Sequence, residues 1–213
     1  MEPLITLSSI VAPLLRDNID TDAIIPAVHM RSLDTDHGRA LFARWRYHDD
    51  GREVADFVLN DPRYRKARIL IAGRNFGCGS SRENAVWALS GFGIRAVVAL
   101  GFSDIFRENA FKNGVLPLAL DADTHAALAT TAAAGELHAT IDVARRTLST
   151  TAGMTIAFDL HPRRQESLLS GADEISATLG AHEKIARFRD EHRRRAPWLY
   201  APGAVVPAAT KSD

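Results

Sequence analysis

Short apolar, β-branched runs alternate with helix-period stretches through the middle of the chain. Ala67–Ala72, Ala96–Leu100 and Leu116–Leu120 read as buried strands. Between them, Glu83–Gly91 has helical spacing and closes on glycine, and a helix capped by Ser103 runs to Lys112 and stops at Asn113-Gly114. Strand and helix alternating at this length predict parallel strands joined by right-handed crossovers. Upstream, Ile5–Leu15 reads as one or two strands, and Arg16–Asp22 as a polar turn. Ala23-Ile24-Ile25-Pro26 follows, where Pro26 limits any strand to a sheet edge or a strand end. Residues 31–38 have loop composition, Arg39–Tyr47 reads as one short helix with Leu41, Phe42 and Trp45 on a face, and Ala55–Leu59 stops at Asn60-Asp61-Pro62.

Downstream, Ala122–Ala134 is an alanine-rich helix with Asp121 or Asp123 as its cap. Leu137–Val143, Thr147–Thr151 and Met154–Leu160 read as a strand meander. Arg163–Arg195 is helical in pieces broken at Gly171 and Gly180, with Ile185 and Phe188 on one stripe. The pattern predicts an α/β domain over residues 1–200 and a disordered tail over 201–213.

Composition narrows the chemistry. The 213 residues are 46% apolar, enough for a substantial core, and acidic and basic side chains balance at 26 each. Nothing global draws this chain to nucleic acid or to an anionic membrane. No apolar run approaches the roughly 20 residues that span a bilayer, and no leader pattern opens the sequence. A soluble, cytoplasmic protein is expected. The one cysteine, Cys78, excludes an intrachain disulfide and cannot by itself hold an iron–sulfur cluster. The histidines show no pair at helical ligand spacing, so any metal in the reaction has to come from elsewhere.

The candidate chemistry lies between the first buried strand and the helix after it, in Gly73-Arg74-Asn75-Phe76-Gly77-Cys78-Gly79-Ser80-Ser81-Arg82-Glu83. Glycines let a backbone turn tightly and approach a ligand, and a helix start offers free N–H groups to an anion. Arg74 and Arg82 add forked donors suited to carboxylate or phosphate. The glycine spacing fits neither a dinucleotide fingerprint, nor a P-loop, nor a hydrolase elbow. Ser80-x-x-Glu83 matches a capping box, with Ser81 and Asn84 a weaker version, so at least one serine is expected to cap the helix. The other hydroxyl can act as a base only if positive groups stabilise its alkoxide. Cys78 fits a small packed thiol better than a nucleophile. Asp20 and Asp22 fit turn chemistry or catalysis, and Arg193-Arg194-Arg195 fits the end of a helix.

Asp17-Asn18-Ile19-Asp20-Thr21-Asp22-Ala23-Ile24-Ile25-Pro26, together with Asn75 through Glu83, resembles the small subunits of 3-isopropylmalate dehydratases in the aconitase superfamily. Leu41–Tyr47, Ser103–Phe106, Asn109–Asn113 and Leu116–Leu118 support the resemblance, which covers nearly everything but the tail. It implies a swivelling β/β/α domain like the last domain of aconitase. It implies a large-subunit partner carrying a [4Fe-4S] cluster, with none bound by this chain. It implies dehydration and rehydration of a small hydroxy-dicarboxylate, as in leucine biosynthesis. On that pattern Ser80 is the base, Arg82 the carboxylate clamp and Asp22 the acidic residue near the cluster, with Ser81 and Arg74 as second substrate-binding candidates. The chain departs from the pattern at Ala27, usually lysine, at Asn84, usually histidine, and at Leu33–Gly38, where a cationic loop is usual and Arg31 or Arg39 is the available substitute. These departures keep other alkylmalates open as substrates, of dimethylmalate, methylmalate or homoaconitate type, and also a non-catalytic anion-binding domain.

Overall fold

The computed structural model describes residues 1–30, 36–172 and 174–200. Contacts divide the chain into two compact units, Met1–Gly171 and Ala172–Asp213.

The first unit is built on a seven-stranded sheet in the order β4-β3-β2-β1-β5-β6-β7. The strands are β1 (Thr6–Leu14), β2 (Ile69–Ala72), β3 (Ala96–Ala99), β4 (Leu116–Ala119), β5 (His138–Asp142), β6 (Thr147–Thr150) and β7 (Thr155–Ala157). β1 joins two kinds of sheet. Its first half pairs antiparallel with β5, Thr6 opposite Asp142, and its second half pairs parallel with β2, Leu14 opposite Ala72. β2, β3 and β4 continue in parallel, and β5, β6 and β7 form the antiparallel meander. β2 and β3 are buried at every position, which is why they read as continuous apolar runs.

Successive side chains of these strands enter two cores on opposite faces. Leu70, Ala72, Val97 and Ala99 face one core, and Ile69, Ile71, Ala96 and Val98 the other. The first core is closed by α1 (Thr21–Ile24), α2 (His37–Ala40), α3 (Ala43–Arg46) and α4 (Glu83–Phe92), with Phe106 of α5 (Asp104–Lys112). The second is closed by α6 (Ala122–Ala134), through Leu128, Ala129 and Ala132, and by Leu168 of α7 (Pro162–Ser170). Asp121 caps α6, its carboxylate accepting the Thr124 N–H at 2.9 Å.

Three local expectations are corrected. Ala23–Pro26 is not a strand: Thr21–Ile24 forms a helical turn whose cap is Asp20, which accepts the Ala23 N–H at 2.7 Å. That local cap outweighs the β preference of the isoleucines. The single helix over Arg39–Tyr47 is two turns, because Phe42 sits in the left-handed region at φ 49°. Its ring is fully buried and stacks on Trp45 at 5.5 Å, and its N–H donates to Ile24. The helix after the glycine loop ends at Gly93, φ 109°, rather than at Gly91. Gly91 instead lies against the backbone of Gly38. Of the expected loop over residues 31–38, residues 31–35 lie outside the described ones, with Arg31 and Asp34 among them; Asp36 caps α2, accepting the Arg39 N–H at 2.9 Å, and Gly38 is buried in that helix.

The second unit holds α8 (Glu174–Gly180), α9 (His182–Arg195) and a short turn at Pro197–Tyr200. Ile185 and Phe188 are exposed on α9, and Arg193, Arg194 and Arg195 lie in its last turn, where cations complement the helix dipole. The expected tail over 201–213 lies outside the described residues. No helix among the described residues is long and apolar enough to cross a membrane.

Candidate active site

The loops that leave the carboxyl ends of β1 and β2, two inner strands of the sheet, run side by side, on the strand-end side where open α/β folds place ligands. Parallel register carries on beyond the strands. Gly73 N–H donates to Arg16 at 3.0 Å, Asn18 N–H to Arg74 at 2.9 Å, Gly77 N–H to Ile19 at 2.7 Å and Thr21 N–H to Cys78 at 2.9 Å. Side chains repeat the pattern. Asp17 accepts the Arg74 backbone N–H at 2.8 Å and its Nε at 2.7 Å, and Asn75 Nδ2 donates to Asn18 at 2.9 Å. Asn18 and Asn75 both take left-handed φ, a conformation asparagine tolerates.

Ser80 and Ser81 lie ahead of α4, both exposed, and neither hydroxyl bonds a described residue. The capping-box expectation is therefore corrected. The cap is Arg82, without a side-chain cap bond, and Glu83 turns away to accept Asn113 Nδ2 at 2.8 Å. The reason is tertiary. Buried Thr21 donates its hydroxyl to the Ser80 carbonyl at 3.0 Å, and Cys78 bridges Asp20 in parallel, which keeps the chain out of the helix until Arg82. Ser80 and Ser81 thus precede by three and two residues the helix start, where the first N–H groups lack helical partners.

Arg82, 19% exposed, donates Nη1 to Asp22, and its remaining N–H groups bond no described residue. That hydrogen bond, with the positive fields of Arg82 and Arg44, holds the Asp22 carboxyl below its ordinary range against the opposing effect of burial. Asp22 is thus an ionised partner for Arg82. Asp17 is likewise held low, first by the Arg74 N–H bond and then by the Arg74 side chain. Arg74, expected at the substrate, forms its own exposed pair with Asp17 at the base of the loop. Burial pushes the Cys78 thiol up, and the Asp20 charge adds to this, an environment that keeps sulfur protonated. Asp20 serves turn chemistry, as the cap of α1.

Sequence reasoning missed four contributors. Thr21 and Asp17 hold backbone of the serine loop from the facing loop. Arg44 adds its charge at Asp22. His125, buried in α6, meets the Ala72 carbonyl at 2.6 Å where β2 ends. Only Thr21 and Asp17 carried a signal, by sitting inside the Asp17–Asp22 motif. A cleft of about 970 Å³ is lined by Pro26, Val28, His29, Arg39, Ala43 and Arg44. Arg39, one of the two substitutes for the missing cationic loop, is on its wall. Among the described residues no cluster of His, Cys, Asp or Glu could hold a metal ion.

Known proteins resemble this arrangement over most of the chain. The Aconitase C-terminal domain family matches residues 1–123. A 3-isopropylmalate dehydratase small subunit from Paramagnetospirillum magneticum is 46% identical over 201 residues, 93% of this chain and 100% of the relative. The chain belongs to the family of 3-isopropylmalate dehydratase small subunits. A small subunit from Bacillus licheniformis is also 46% identical, over 94% of this chain and all of the relative. The crystal structure of 3-isopropylmalate dehydratase (leuD) from Methanocaldococcus jannaschii superposes with a TM-score of 0.63 at 25% identity, covering 87% of this chain and 99% of that one. The fold is accordingly the α/β aconitase C-terminal type, as the motifs implied.

Proposed function

We propose that this chain supplies the base and the carboxylate-binding half of a two-subunit hydro-lyase that interconverts 2- and 3-isopropylmalate. The observation that carries the reading is two serine hydroxyls that bond no described residue, next in sequence to an arginine that donates to Asp22 at a helix start. Ser80 Oγ, as an alkoxide stabilised by the opening N–H groups of α4 and by the Arg82 charge, takes the proton from the carbon beside a substrate carboxylate. The unused N–H groups of Arg82 receive that carboxylate. Asp22 keeps the guanidinium in place and balances its charge before substrate arrives. Ser81 is the neighbouring hydroxyl available to substrate oxygen, and Arg74, paired with Asp17, fixes the base of the loop.

One cysteine does not fit a [4Fe-4S] cluster on this chain, so the reading places it on a large subunit, where it supplies Lewis acidity toward the leaving hydroxyl. The carboxyl-end side of β1 and β2, which presents Ser80, is the face such a partner covers. The decisive experiment reconstitutes the chain with a cluster-bearing large subunit under anaerobic conditions and assays a panel of alkylmalates. The highest kcat/KM is expected for isopropylmalate, and a higher value for dimethylmalate, methylmalate or homoaconitate would reassign the substrate. Ser80→Ala is expected to lower kcat by about 100- to 10,000-fold while still assembling. Turnover at the wild-type rate by that variant would remove Ser80 from the role.

A further inference from the structure

We propose that Ser103 is a positioning residue for Ser80, beyond its evident place as the cap of α5. The proposal rests on the reading of Ser80 as the base. The Ser103 hydroxyl does two things at once. It accepts the Phe106 N–H at 3.3 Å, which caps α5, and it donates its proton to the Gly77 carbonyl at 2.6 Å. The shorter of the two contacts is the one into the serine loop.

The loop needs that contact more than the helix does. Between Gly77 and Ser80 the carbonyls of Gly77, Cys78 and Ser80 are each held. Thr21 holds two of them, through its N–H to Cys78 and its hydroxyl to Ser80. Among the described residues, Ser103 alone holds the third. Gly77 lies at φ 73° and Gly79 at φ 90°, so both flanks of the Cys78 peptide are glycines with wide torsional freedom. The Gly77 N–H is fixed to Ile19 at 2.7 Å, and the Ser103 proton fixes its other side, which sets the peptide plane leading to Ser80. Backbone bonds from Ser103 N–H to Phe76 at 3.0 Å and from Phe76 N–H to Gly101 at 2.9 Å bring the hydroxyl there. Without the donated proton the Gly77 carbonyl is free to rotate and Ser80 Oγ shifts. A displacement near 1 Å at a reacting atom costs on the order of 100-fold in rate.

Capping and positioning separate cleanly by substitution. Ser103→Asp keeps a strong cap acceptor but has no proton to donate at neutral pH, Ser103→Gly keeps most of the cap without a side chain, and Ser103→Thr keeps both functions. The free chain is followed by thermal unfolding and by hydrogen exchange of residues 75–81 and of α5, and the reconstituted two-subunit enzyme by kcat and KM. For Ser103→Asp we expect α5 protection to persist, exchange over 75–81 to quicken about fivefold or more, and kcat to fall about tenfold with KM changed less than about threefold. Ser103→Thr restores both readings. Wild-type exchange over 75–81 in Ser103→Asp overturns the proposal, and so does faster exchange with unchanged kcat. If Ser103→Asp does not fold, Ser103→Gly decides by the same criteria. Exchange in the free chain reports on the loop even if Ser80→Ala shows another residue to be the base, so the two failures are distinguishable.

Discussion

Replacing Gly77 with alanine tests how tightly the serine loop is seated. Two costs add at that position. The first is conformational: φ is 73°, and an L-residue there loses about 1–2 kcal/mol per residue. The second is steric. A Cβ on Gly77 would lie 2.2 Å from Cγ, 2.5 Å from Cδ2 and 2.6 Å from Cβ of Phe106. These atoms cannot swing aside easily, because the ring is 2% exposed and packed edge-on to Phe76 at 5.2 Å and stacked on Phe102 at 6.2 Å. Overpacking of this kind costs about 1–3 kcal/mol. Gly79→Ala is the internal control. Its φ is 90°, but its Cβ would have no neighbour closer than Asp20 Cβ at 3.5 Å, so it carries only the conformational cost. Urea denaturation of the three proteins should place Gly77→Ala about 2–5 kcal/mol and Gly79→Ala about 1–2 kcal/mol below wild type. In melting temperature, Gly77→Ala should lose about 2–4 °C for each kcal/mol. Equal losses at the two glycines would refute the steric argument, and with it the picture of a loop pressed onto α5.

Two further outcomes follow from the charges. The Asp17 carboxyl is depressed below its ordinary value of 3.8, so the folded chain holds its proton less firmly than the unfolded one. Its stabilising contribution is therefore complete above about pH 4, and is lost as pH falls through the depressed value. Melting curves from about pH 6 to pH 2 should show a steeper acid loss for wild type than for Asp17→Asn, and parallel curves would remove Asp17 from the acid response. Arg46, 6% exposed, donates to Asn60, Gly38 and Leu41 and lies over the rings of Tyr47 at 5.0 Å and Phe92 at 4.8 Å, and among the described residues no carboxylate pairs with it. Arg46→Met leaves three buried acceptors without that donor and should cost about 3–6 kcal/mol in urea denaturation, while a loss under about 1 kcal/mol would show that water or neighbours replace it.

Local physics explains which parts of the fold were legible. β2 and β3 announce themselves because both faces are buried, and Ser103 and Asp121 because a cap bond spans three residues. The same local rule misled at Ser80. Its pattern satisfies a capping box, yet Thr21, 59 residues away, holds the Ser80 carbonyl, and the helix starts only at Glu83. Phe42 misled similarly: helical spacing predicted one helix, and burial of its ring beside Trp45 broke the helix in two.

What the sequence could not reveal is the pairing between its two motifs. Asp17 with Arg74 and Asn18 with Asn75 are each 57 residues apart, and Asp22 with Arg82 is 60 apart. These separations lie within two residues of the 58 that sets Leu14 opposite Ala72, and the Asp20–Cys78 bridge keeps that spacing itself. The two motifs are therefore one ladder extended beyond its strands, with backbone bonds giving way to side-chain pairs and finally to the serines. An insertion of one residue between Leu15 and Asp20 would leave both motifs recognisable. It would still shift every later rung, separating Thr21 from the Ser80 carbonyl and Asp22 from Arg82, because a ladder's register is a property of the pair and not of either strand.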